Sequence, residues 1–201
     1  MSWRASCAII ILLALAVTSI AAGATKDDSA PARTQRRALR VPIADFALTD
    51  QNSTPFEFKN LMGKVVIVAF AYTTCPDVCP LITASLRQVQ IGLTKEESKK
   101  VQLLTITTDP EIDSPKVLTA YAKRYGAEFD NWSFLTGEVT ALKRIWKNFG
   151  VGVQRKGRGL IEHTPLTAVV DKQKLMRFGY IGPSPDPKAV LADIRELLSE
   201  R

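Results

Sequence analysis

Soft metal-binding side chains are scarce in this chain: one histidine, His163, in 201 residues, and three cysteines, Cys7, Cys75 and Cys79. No internal repeat and no low-complexity segment is present, which sets aside repeat architectures. Basic residues outnumber acidic ones, for a formal charge of +7, but no aromatic residues are interleaved with them. Much of the excess lies in Arg33-Thr34-Gln35-Arg36-Arg37 and Arg155-Lys156-Gly157-Arg158. That pattern describes a solvated surface and argues against nucleic acid as a partner, leaving anionic lipid or an acidic protein. Hydrophobic residues, at 46%, suffice for the core of one domain.

The first residues stand apart from that domain. Trp3 and Arg4 precede a neutral apolar run, Ala8 to Ala22, followed by Gly23 and Ala24, the pattern of an export signal. The run is shorter than the roughly 17–25 residues that span a bilayer, whereas Cys7 to Ala24 just reaches that length. Residues 1–24 are therefore read either as a cleaved signal peptide or as an N-terminal membrane anchor. Residues 25–40, polar and aperiodic, read as a flexible linker, and 41–201 as the folded domain. Export leads to a compartment where disulfides persist, and there Cys75 and Cys79 are the only cysteines of the domain. A disulfide closing so short a loop stabilises little, so the pair is reactive or metal-binding.

The run Val65–Ala71 predicts a strand buried on both faces, and it leads straight into Cys75-Pro76-Asp77-Val78-Cys79-Pro80. Pro76 keeps Cys75 out of helical geometry and Pro80 suits a helix start, so both sulfurs lie where a helix N-terminus favours thiolate. Ahead of this strand, Phe46, Leu48, Phe56 and Phe58 alternate around Asp50-Gln51-Asn52-Ser53, a β-hairpin. Behind it come a helix over Pro80–Leu93, ended by Thr94 and the charged Lys95–Lys100, and a strand over Val101–Thr108. A helix capped by Ser114-Pro115, a strand at Trp132–Leu135 and a helix over Glu138–Phe149 follow. Val151–Val153 and the basic Gln154–Leu160 read as a strand leading to an exposed loop. Strands at Thr167–Val170 and Leu175–Tyr180 and a helix over Pro187–Leu198 complete the chain. This order predicts an α/β domain of thioredoxin-like fold, a central mixed sheet flanked by helices with an N-terminal β-hairpin extension, the closing strand pair forming an antiparallel edge.

His163 falls just before the strand that should lie beside the cysteine strand, in a loop that this fold turns toward the cysteines. Two residues four apart share a helix face, so Cys75 and Cys79 can converge on one ion or close into a disulfide. Two thiolates and an imidazole suit copper: Cu(I) accepts three ligands and Cu(II) adds a weak fourth. Zinc takes the same donors but wants a fourth, which no further cysteine or histidine supplies; Met62 and Met176 read as packing residues, as does Tyr72.

Tyr72-Thr73-Thr74-Cys75-Pro76-Asp77-Val78-Cys79-Pro80, then Thr108-Asp109-Pro110-Glu111-Ile112-Asp113-Ser114-Pro115, then Glu162-His163-Thr164, together resemble the Sco (SenC) family over roughly Val41 to Leu198. Thr74 and Thr164 depart from the histidine and serine more usual there. The resemblance implies a copper metallochaperone of the bacterial periplasm, at or anchored to the inner membrane, that delivers copper to the binuclear centre of cytochrome c oxidase. Its implied ligands are Cys75, Cys79 and His163, holding Cu(I) or Cu(II), with Asp109 close by as a supporting group or weak ligand. Implied partners are the copper-bearing oxidase subunit and another copper chaperone or thioredoxin-like reductant. The competing expectation is a thiol–disulfide oxidoreductase, Cys75 attacking and Cys79 resolving, which reduces the oxidase cysteines before copper arrives. Copper sensing or resistance is a third possibility that the residues leave open.

Overall fold

The structure is a computed structural model and describes residues 34–200; the expected signal or anchor and most of the linker lie outside the described residues. In chain order the elements are β1 (Gln35–Pro42), β2 (Ala47–Asp50), β3 (Pro55–Glu57), β4 (Val65–Ala71), α1 (Val78–Gly92), α2 (Lys95–Lys100), β5 (Val101–Thr107) and α3 (Pro115–Arg124). There follow β6 (Trp132–Thr136), α4 (Val139–Asn148), β7 (Val153–Arg155), β8 (Ile161–His163), β9 (Leu166–Val170), β10 (Leu175–Ile181) and α5 (Pro187–Ser199). One sheet runs β1-β10-β9-β4-β5-β6-β2-β3, and β7 pairs with β8 separately.

Every residue of β4 is buried, as its unbroken apolar sequence demands. It pairs in parallel with β5 over its whole length and antiparallel with β9, so the strand that leads into the cysteines sits at the centre. Alternate residues feed two cores. Val66, Val68 and Phe70 pack with Leu142, Ile145 and Trp146 of α4 on one face. Val65, Ile67 and Ala69 pack on the other with Ile82 and Leu86 of α1, Leu118 of α3 and Ile194 of α5. The mixed sheet flanked by helices is the expected thioredoxin-like architecture, and the expected hairpin is β2–β3, whose β2 also joins β6.

Two expectations are corrected. Residues 35–40, read as linker, are strand: β1 pairs antiparallel with β10 from Gln35↔Ile181 to Pro42↔Leu175, so the closing strand pair is not the sheet edge. Leu39 and Val41 pack against the core, and Arg36 reaches Asp193 of α5 through two nitrogens at 2.6 and 2.9 Å while its guanidinium covers the Phe178 ring at 4.2 Å. The entry to β1 is held by the Thr34 hydroxyl donating to the Ser184 carbonyl at 2.8 Å. Gly182 makes this approach possible: its φ is +143°, and a Cβ there would stand 2.5 Å from Thr34 Cα. The second correction is Lys95–Lys100, which is a helix of its own. Thr94 accepts from the Glu97 N–H and Glu97 accepts from the Thr94 N–H, a reciprocal cap that lets a segment with no apolar residue fold. No helix among the described residues is long and apolar enough to cross a membrane.

Candidate metal centre

Three pieces of backbone meet beyond the carboxyl end of β4. The first is the loop Tyr72–Asp77, which leads into α1. Cys75 keeps 9% of its surface exposed, while Cys79, in the first turn of α1, is fully buried, and both are free thiols. The second is the β7–β8 hairpin, whose register pairs Val153 with His163 and carries the ring to the cysteines. His163 Nε2 lies 3.5 Å from Cys79 Sγ. On its other side the ring's Nδ1 lies 3.1 Å from the Thr164 carbonyl oxygen, an acceptor only, so Nδ1 carries the proton and the unprotonated Nε2 faces the sulfur. Burial lowers the pKa of this histidine and keeps the ring neutral, against smaller opposing effects from the Thr164 carbonyl and Cys75.

The two thiols are unequal. Cys75 is brought down to about 5, chiefly by the hydrogen bond from the Cys79 thiol and then, against burial, by the Asp77 and Cys79 N–H groups at the start of α1. Cys79 is pushed up, because it is the donor of that bond, because it is buried and because Asp113 adds negative charge nearby. The proton therefore rests on the deeper sulfur, and the shallower one is thiolate at neutral pH. Tyr72 closes the site from beneath, its hydroxyl accepting from the Ile161 N–H at 3.3 Å and its ring edge-on to His163 at 6.0 Å. The centre opens into a cleft of about 360 Å³ lined by Tyr72, Cys75, Val78, Lys156, Leu160 and His163.

The third piece is the turn Asp109–Asp113 after β5. Asp109 is buried, and its Oδ1 takes the Arg155 guanidinium of β7 at 2.5 Å; its Oδ2 has no partner. It bears on the centre through the hairpin that carries His163. Asp113, which the sequence reading did not single out, grips the cysteine loop directly: it accepts from the Thr73 hydroxyl at 2.5 Å and from the Thr73 N–H at 3.3 Å. It lies in the Thr108–Pro115 stretch, where its place beside Ser114-Pro115 gives it the look of a helix cap.

The donors suit copper better than zinc, since two sulfurs and one imine nitrogen form a soft three-ligand set. Among the described residues no three His, Cys, Asp or Glu side chains already stand as a closed ligand cage. Cys79 is instead the link, in contact with Cys75 on one side and with the imidazole on the other.

Known proteins resemble this chain in sequence and fold. A Bacillus subtilis SCO1 protein homolog is 35% identical over 99 residues, covering 49% of this chain, and the match spans about half (51%) of that protein. The structure of yeast Sco1 with copper bound superposes with a TM-score of 0.67 at 27% identity, covering 80% of this chain and 90% of that one. BsSco, described as a Sco family cytochrome c oxidase assembly protein with a disulfide switch, superposes with a TM-score of 0.71 at 27% identity, covering 82% and 98%. The SCO1/SenC family model matches residues 34–199, almost the whole described region. Cysteine loop, histidine hairpin and acidic turn thus lie within the matched span, and the chain belongs to the SCO1/SenC family.

Proposed function

We propose that this chain is a copper metallochaperone, exported to the periplasm and either freed or tethered by residues 1–24. It holds copper as cargo on Cys75, Cys79 and His163 and passes it to the binuclear centre of cytochrome c oxidase. The observation that carries this reading is the His163 tautomer: a neutral ring with Nδ1–H fixed on a carbonyl and Nε2 aimed at Cys79 from 3.5 Å. Loading requires that Cys79 lose its proton, since the ligand is thiolate, so copper uptake releases about one proton near neutral pH. Transfer is ligand exchange in which partner thiolates replace Cys75, the more exposed sulfur, first. Asp109 supports the centre from behind the hairpin through Arg155.

Titration of the reduced protein with copper tests this. The wild type is expected to take about one copper and, as Cu(II), to show a sulfur-to-metal charge-transfer band; His163→Ala is expected to lose at least tenfold in affinity. Unchanged affinity in His163→Ala would overturn the ligand set. The unequal thiols favour one second reading, a dithiol reductant in which Cys75 attacks the partner disulfide and Cys79 resolves the mixed disulfide. That activity would survive the loss of His163, whereas copper carriage would not.

A further inference from the structure

The buried carboxylate of Asp113 lies outside the proposed ligand set, yet it is fully occupied at the centre. Both its oxygens accept hydrogen bonds, Oδ1 from the Thr73 hydroxyl and Oδ2 from the Thr107 hydroxyl, each at 2.5 Å, and the Thr73 N–H lies 3.3 Å from both. Thr107 in turn accepts from the Asp109 N–H at 2.8 Å, which orients its hydroxyl proton toward Asp113. Asp113 belongs to a tight turn, its own N–H donating to the Asp109 carbonyl at 2.9 Å. That turn continues from β5, itself paired with β4 along seven residues. Thr73 lies two residues beyond β4 and two before Cys75. The residue at the entrance of α1, Asp77, makes no capping bond with its own side chain. The loop between strand and helix is therefore held from the neighbouring strand.

We propose that Asp113, acting through Thr73, is a positioning residue that holds the cysteine loop against the end of β5 and so sets how Cys75 and Cys79 stand to one another in the reduced protein. Applied to copper this rests on the ligand set proposed above, but the dithiol–disulfide equilibrium of Cys75 and Cys79 reads it without metal. A freed loop lets the two sulfurs close to bonding distance with less resistance, which favours the disulfide. Loss of such support behind a ligand costs about 10–100-fold in metal affinity.

The test uses the full chain with Thr73→Val, which removes the hydroxyl and leaves Asp113 in place, Thr73→Ser, which restores the hydroxyl, and Asp113→Asn. Each is equilibrated in glutathione redox buffers, trapped by alkylation and titrated with copper, and its Tm is recorded. Thr73→Val is expected to shift the equilibrium about tenfold toward disulfide, about 30 mV for two electrons, and to weaken copper at least tenfold, with Thr73→Ser close to wild type. Asp113→Asn is expected to weaken copper at least as much. A folded Thr73→Val with unchanged equilibrium and copper band, whatever its Tm, overturns the proposal, and it decides alone if Asp113→Asn fails to fold. A shifted equilibrium in a chain that binds no copper supports the positioning role and sinks the metal reading instead.

Discussion

Between Cys75 and Cys79 a single proton is held on the deeper sulfur, and this fixes how the reduced site reacts with acid. Cys75 has its folded pKa depressed to about 5, so its thiolate persists as pH falls from 8 to 6 and disappears only as pH passes through 5. Alkylation of Cys75 by iodoacetamide in the reduced protein is therefore expected to stay nearly constant between pH 8 and 6. Below pH 5 it should fall about tenfold per unit, while buried Cys79 stays unmodified; mass spectrometry of quenched samples reads both. A Cys75 rate that climbs steeply from pH 7 to 9 would contradict the assigned proton. At this scale the sequence was informative where chemistry is concentrated in a residue type: a lone histidine and a close pair of cysteines announce themselves. Asp113 did not, because a carboxylate beside Ser114-Pro115 has the look of a turn and only the pairing of β4 with β5 brings it to Thr73.

Among elements, those with strong periodicity were legible. The buried strand β4, the amphipathic α1 and the Ser114-capped α3 formed within a residue or two of expectation, since each buries its apolar positions whatever surrounds it. Two others were not, for opposite reasons. In β1 the alternation is hidden under arginines, one of which is engaged by Asp193 and Phe178 only after the sheet has closed. In α2 there is no apolar face at all, and the helix rests on its reciprocal cap and on Glu97 meeting Arg195 of α5 at 2.8 Å. Thr94→Ala is accordingly expected to cost about 1 kcal/mol of stability in urea unfolding. The arginine partner and the Thr94 N–H hold the Glu97 carboxyl at about 2, below its usual range. Its contribution is complete at neutral pH and is lost as pH falls from 4.5 through 2, so stability in urea should fall across that range.

At the scale of the whole molecule, the first strand ties the two ends of the described chain together. Asp193, 4% exposed, is served by Arg36 from β1 and by the Tyr180 hydroxyl from β10. Arg36→Met leaves Tyr180 in place and takes away the only cation bonded to that carboxylate among the described residues. The expected loss is about 2 kcal/mol in denaturant unfolding. A change below about 0.5 kcal/mol would mean that β1 holds by its backbone alone. Sheet order followed from alternating strands and helices, but this fastening is a long-range match between residues 157 positions apart, which no local pattern encodes.

The place where β1 starts has a consequence of its own. Gln35 pairs with Ile181, Gly182 donates to the Pro165 carbonyl, and Pro165 follows Thr164, against whose carbonyl the His163 ring is set. The polypeptide therefore enters the domain beside its sulfur and imidazole groups, not at the opposite pole. If residues 1–24 stay in a bilayer, as proposed, the nine residues 25–33 reach at most about 30 Å when fully drawn out. The exchange face would then stay within that distance of the lipid.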